Sequence, residues 1–153
     1  MLLTAGNSSR GLSAKTFLFN CDSAKWVTDP AQPDLQTPRR RHSSVAVDSY
    51  AFVFAGFDKN DEPINSIERL ALGEGQGNAK DRQWKPFTIM GLTMRVYPLM
   101  VALDNSAILV VGGHKRKEYF PDGVVFDAEK LSVINRVTID QGFTSKGNQH
   151  CVT

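Results

Sequence analysis

The sequence predicts an all-β chain built by repeating one short unit. Three observations predict it: helical periodicity is nearly absent, a β-rich run closing on glycine occurs three times, and matching intervals follow those glycines. The runs are Leu2 to Gly6, Tyr50 to Gly56 and Ala107 to Gly113. The second and third are each preceded by another strand-like run and an acidic turn. These are Ser43 to Val47 with Asp48-Ser49, and Leu99 to Leu103 with Asp104-Asn105. Two apolar runs joined by such a turn predict a β-hairpin.

The intervals complete the unit. Phe19 lies 13 residues after Gly6 and Trp26 lies 20 after it; Phe126 and Val133 stand at the same distances from Gly113. Phe17-Leu18-Phe19-Asn20 therefore aligns with Val124-Val125-Phe126-Asp127, each followed by a turn and a fourth strand. The middle copy runs from Gly56 through Ile67-Glu68-Arg69-Leu70 to Trp84, its extra length lying in the glycine-rich insertion Gly73 to Ala79. A repeat of about 50 residues carrying four strands is the signature of a β-propeller blade. With the strands labelled a to d, residues 1–28 are expected to supply b to d of a first blade. A second blade is expected over 42–87, a third over 96–139, and the first strand of a further blade over 147–153. Recurrent glycine at one phase implies a close backbone approach or an unusual backbone angle there. Trp26 and Trp84, on fourth strands, are expected to seal the gaps between adjacent sheets.

Other features follow the same phase. A basic residue precedes the first strand (Arg41, Arg95), a glycine pair or near-pair closes the second, the third is aromatic or aliphatic, and a Trp sits in the fourth. Together these resemble kelch repeats, over essentially the whole chain. The departures are Ala5-Gly6 and Ala55-Gly56 where that family has Gly-Gly, and Val133 where it has Trp. The resemblance implies a partial kelch-type β-propeller of four-stranded antiparallel blades. Closed propellers hold about four to eight blades, so the chain is expected to be part of a longer protein. Self-association through exposed blade edges is also expected, with Asn148 to Val152 pairing beside Leu2 to Ala5.

Strand parity sorts the loops. Because successive strands run antiparallel, b–c and d–a loops share one face and a–b and c–d turns share the other. Arg39-Arg40-Arg41 falls in a d–a loop and His114-Lys115-Arg116-Lys117 in a b–c loop, so both basic clusters share a face. Asp48-Ser49 and Asp104-Asn105 fall on the opposite face, while Asp58, Asp61 and Glu62 partly neutralise the basic one. The candidate partner-binding residues are Arg39, Arg40, Arg41, Phe57, His114, Lys115, Arg116, Lys117 and Tyr119. Arginine binds carboxylate or phosphate bidentately, which points to an acidic protein or peptide partner. In kelch propellers, partner peptides often dock on this same face.

Composition and motifs exclude other classes. The 153 residues carry a net charge of +2, with 41% hydrophobic and 22% charged residues. That is too apolar for a disordered chain and too neutral for a general nucleic-acid coat. Apolar runs fall far short of the ~20 residues of a membrane helix, and the opening lacks the basic region of a signal peptide. A cytoplasmic protein is expected, with Cys21 and Cys151 as packed thiols, since their separation fits no CxxC motif. His42, His114 and His150 form no ligand-spaced pair, and no GxSxG, P-loop or HExxH motif is present. No catalytic residue, metal or cofactor is therefore expected, and His42 is expected to be packed or hydrogen-bonded ahead of a strand. The resulting expectation is a non-catalytic protein-binding or scaffold module. The alternative is a fragment of a kelch-type enzyme, a galactose-oxidase-like copper oxidase or a sugar-modifying enzyme, whose catalytic residues lie outside this segment.

Overall fold

The computed structural model describes residues 1–28, 32–72 and 82–138. Every regular element among them is a β-strand, and every pairing is antiparallel. The first sheet holds β1 (Leu2–Ser8), β2 (Gly11–Asn20) and β3 (Lys25–Val27) in that order. The second is a four-stranded meander of β4 (Ser43–Val47), β5 (Tyr50–Phe54), β6 (Ile67–Ala71) and β7 (Lys85–Phe87). In the third, β8 (Leu99–Ala102) and β9 (Ala107–Val111) are followed by a small side hairpin, β10 (His114–Lys115) and β11 (Glu118–Tyr119). β12 (Asp122–Asp127) and β13 (Ser132–Thr138) then complete a sheet ordered β13-β12-β9-β8. These strands fall within the spans expected over 1–28, 42–87 and 96–139. The insertion Gly73 to Ala79, Cys151, His150 and the strand expected over 147–153, with its pairing to Leu2 to Ala5, lie outside the described residues.

The sheets pack face to face, with the second between the other two. Strand alternation sends Ala51 and Val53 to one side of β5, and Tyr50, Phe52 and Phe54 to the other. The first set joins Leu35, Leu70 and Trp84 in a core against Leu2 of the first sheet. The second set joins Met100, Ile108, Val110, Val124 and Phe126 of the third sheet. Because both faces of β5 are covered, its sequence reads as a continuous apolar run rather than an alternating one. A hydrogen bond from the Met100 N–H to Ser43 Oγ, 3.0 Å, ties β8 to β4.

The repeat is visible at atomic detail. Ala5, Ala55 and Gly112 all have φ between 55° and 66°, and each is followed by a glycine with φ from 83° to 102°. A Cβ on Gly56 would stand 2.5 Å from the Arg40 carbonyl, and one on Gly113 would stand 2.7 Å from the Val96 carbonyl. In the second and third copies the second glycine is therefore demanded by a crossing backbone, while at Gly6 nothing lies within 4 Å and the positive φ alone favours glycine. The first position needs only the left-handed conformation, which alanine reaches at a cost of about 1–2 kcal/mol. That explains Ala-Gly in two copies and Gly-Gly in the third. The c–d turns match as well. Asn20 Oδ1 accepts the N–H groups of Asp22 and Ser23, and Asp127 Oδ1 accepts those of Glu129 and Lys130.

Two expectations about packing need correction. Trp84 does seal a gap: it is 1% exposed, and its indole N–H donates to Thr16 Oγ1 and to the Pro33 carbonyl, both at 3.1 Å. Trp26 does not, since it is 51% exposed and, among the described residues, its ring partners are Phe17 and Phe19 of its own sheet, met edge-on. No described sheet lies against that side. Cys21 is likewise an exposed free thiol rather than a packed one, because it falls in the turn after β2.

Candidate functional site: a basic and aromatic loop face

Two buried arginines build the loops from below. Arg39 and Arg95 are both fully buried, and their bonds correspond pair by pair. Arg39 Nε donates to the Thr37 carbonyl, and one Nη1 reaches the carbonyls of Ala55 and Ser66. Arg95 Nε donates to the Thr93 carbonyl and its Nη1 to the Gly112 carbonyl. Each then pairs with an acid: Arg39 Nη2 with Glu68 Oε1 at 2.5 Å, and Arg95 Nη2 with Asp122 Oδ1 at 3.2 Å. Burial pulls both guanidinium groups below the ordinary arginine value, against the pull of the partner carboxylate. A phenyl ring, Phe120, also lies 4.3 Å from the Arg95 guanidinium.

This corrects two expectations. Arg39 is not available to a partner, because its side chain serves as the internal strut of the d–a loop. The repeat also equates Arg95 with Arg39 rather than with Arg41. Arg41 then corresponds to Tyr97, each two residues beyond its buried arginine and each at a left-handed φ, 59° and 55°.

From those struts the face is assembled. Backbone bridges join Arg40 to Phe57 and Val96 to His114, placing the d–a loop of each sheet beside its b–c loop. Tyr97 stacks on His114 with ring centroids 5.4 Å apart and planes 20° from parallel. Phe57 meets Tyr97 edge-on at 6.4 Å, and Tyr119 lies 5.5 Å from His114. The Arg41 guanidinium sits over this row, 5.1 Å from the Tyr97 centroid and 5.9 Å from that of Phe57. Such contacts hold a cation by about 0.5–1 kcal/mol at an exposed site and restrict its rotamers.

The charges are not equivalent. Arg40 lies over Phe57 as well and pairs with Asp61. Asp58 Oδ1 accepts the N–H groups of Asn60 and Glu62, so that carboxylate is turned into its own loop. Among the described residues, Arg41, Lys115, Arg116 and Lys117 have no carboxylate within ion-pair distance. The three residues 115 to 117 are exposed, on or between the strands of the β10–β11 hairpin. The structure thus brings Arg40, Arg41, Phe57, His114 and Tyr119 together, with Lys115, Arg116 and Lys117 alongside, and adds Tyr97 at the centre. Tyr97 carries a readable signal: it lies 56 residues after Arg41, at the same offset as Thr93 from Thr37. Asp48 and Asp104 lie in the turns of the opposite loop parity, each held below the usual carboxylate range by bonds from Ser49 and Ser106 respectively.

His42 borders the face and has a different task. Its Nε2 shares a 3.3 Å hydrogen bond with Thr4 Oγ1, which links the d–a loop to β1. Burial, and then the Arg39 charge, push its pKa from 6.5 down to about 4, against a hydrogen bond to the Thr4 backbone. Because the folded value lies below the unfolded one, the unfolded chain binds the extra proton between these pH values. The stabilising contribution is present above about pH 6.5 and is lost as pH falls toward 4, to a total of about 3 kcal/mol. Urea denaturation at a series of pH values should show that loss, and His42→Gln should flatten it. Stability rising on acidification across this window would contradict the assignment.

No protein-family model matches the chain, and a search of curated proteins finds no match either.

Proposed function

We propose that this chain is a non-catalytic protein-binding module, a kelch-type propeller segment whose basic and aromatic loop face engages an acidic stretch of a partner protein. The observation that carries the reading is Arg41, a cation without a carboxylate partner among the described residues, seated over Phe57 and Tyr97. A cation so placed loses little freedom when it takes up a carboxylate or phosphate, and arginine offers that group a bidentate fork. Exposed Tyr119, at 71%, supplies apolar surface beside it. The propeller reading is supported by successive antiparallel sheets packed face to face, with repeated buried arginines and repeated left-handed glycines. An exposed free thiol at Cys21 suits a reducing compartment, and we place the protein in the cytoplasm.

The test is titration with a fluorescent glutamate-rich peptide at low and moderate ionic strength. Replacing Arg41, Lys115 and Arg116 together by alanine should weaken binding about 10- to 30-fold, since each exposed pair contributes at most about 1 kcal/mol. Raising the salt should weaken wild-type binding in the same sense. Asp48→Asn with Asp104→Asn, on the opposite loops, should leave it unchanged. Binding that survives the triple variant, or that is lost in the aspartate variant, would remove the face from consideration.

A further inference from the structure

The two outward faces of the sheet stack differ, and they are the same two kinds of face that mate inside it. Within the chain, the forward face of one sheet always meets the backward face of the next. Leu2 and Thr16 of the first sheet meet Val53 and Trp84 of the second. Phe52 and Phe54 of the second meet Val110 and Phe126 of the third. Among the described residues, what stays open is a backward face on the first sheet and a forward face on the third.

Register identifies their residues. Leu3 pairs with Phe17 and Phe19 with Trp26, so these four share the open backward face. Leu3, Phe17 and Trp26 are each about half exposed, at 52%, 50% and 51%. On the third sheet, Val101 pairs with Leu109 and then Val125, and Leu99 with Val111, Gly123 and Val137. Leu99, Val101 and Val137 remain 49%, 38% and 45% exposed. The internal repeat relates these positions to mated ones. Leu3 stands 50 residues before Val53 and Leu109 stands 57 after Phe52, the spacings of the glycines themselves. Trp26 is the counterpart of Trp84, which a neighbouring sheet covers completely.

We propose that the open forward face of one chain seats the open backward face of a second copy, continuing the packing already made twice inside the chain. The contact is head-to-tail, so the surfaces are unlike, and two copies close into a ring if the rotation per sheet permits or extend further if it does not. The aromatic ledge of the backward face, Phe17 and Trp26, then meets the aliphatic ledge of the forward face, Leu99, Val101 and Val137.

Sedimentation velocity across a concentration series, using the whole chain, tests this. The wild type should associate with rising concentration. Trp26→Glu blocks the backward face and Val101→Glu the forward one; both residues are exposed, so far-ultraviolet circular dichroism and the urea midpoint should stay close to those of the wild type. Each variant alone should sediment as a monomer, and an equimolar mixture should form a one-to-one dimer that grows no further. If either substitution disturbs the fold, Phe17→Lys and Val137→Lys make the same pair of blocks. A wild type that stays monomeric, a single variant that associates as strongly as the wild type, or a mixture that stays monomeric overturns the proposal.

Discussion

Replacing Glu68 by alanine is expected to destabilise the protein by about 3–5 kcal/mol, the range for removing one partner of a buried ion pair. Both side chains of the Arg39–Glu68 pair are fully buried. The Glu68 carboxylate also accepts the N–H groups of Gln36 at 2.6 Å and Thr37 at 3.1 Å. Its loss leaves an uncompensated guanidinium inside and two loop donors unanswered. Replacing Arg39 and Glu68 together by methionine and leucine should recover only the part due to the uncompensated charge, because the Gln36 and Thr37 N–H groups and the carbonyls held by Arg39 stay unanswered. Asp122→Ala should cost less, since that side chain is 29% exposed and water can reach the space beside Arg95. Urea denaturation of the four proteins checks the order. Equal losses for Glu68→Ala and for the double replacement would mean that the hydrogen bonds to the loop backbone, rather than the uncompensated charge, carry the cost.

The pair also marks where sequence reasoning stops. Strands announce themselves through composition and spacing, so sheets over 1–28, 42–87 and 96–139 could be placed from the residues alone. A charge gives no such sign of being buried. Arg39 sits in a run of three arginines that looks solvated, and the acid that draws it inward lies 29 residues further along. The site was legible to the extent that loop parity is legible: Arg40, Arg41, Phe57, His114 and Tyr119 do converge. Tyr97 was overlooked because its counterpart, Arg41, is of another chemical type, although both occupy the same left-handed backbone position. Trp26 fails for a different reason. Phase assigns a residue to a face, while only the presence of a neighbouring sheet decides whether that face is dry.

The two tryptophans turn that distinction into a measurement. Trp84→Ala should cost about 3–5 kcal/mol, as large-to-small changes of a fully buried aromatic do. The vacated volume would adjoin a partly open pocket of about 170 Å³ lined by Leu2, Thr4, Val53 and Trp84 itself. Trp84→Phe keeps most of the apolar contact but takes the donor away from Thr16 Oγ1 and the Pro33 carbonyl. A loss of about 1–3 kcal/mol is expected for leaving such groups unanswered. Trp26→Ala, in the same phase of the repeat, should change the stability of the monomer by less than about 1 kcal/mol, because half of that ring is already in water. Tryptophan emission gives the readout: removing Trp84 should leave the red-shifted signal of an exposed indole, and removing Trp26 should leave the blue-shifted signal of a buried one. If the two alanine variants lost equal stability at concentrations where the protein is monomeric, the first sheet would have to be covered on both sides.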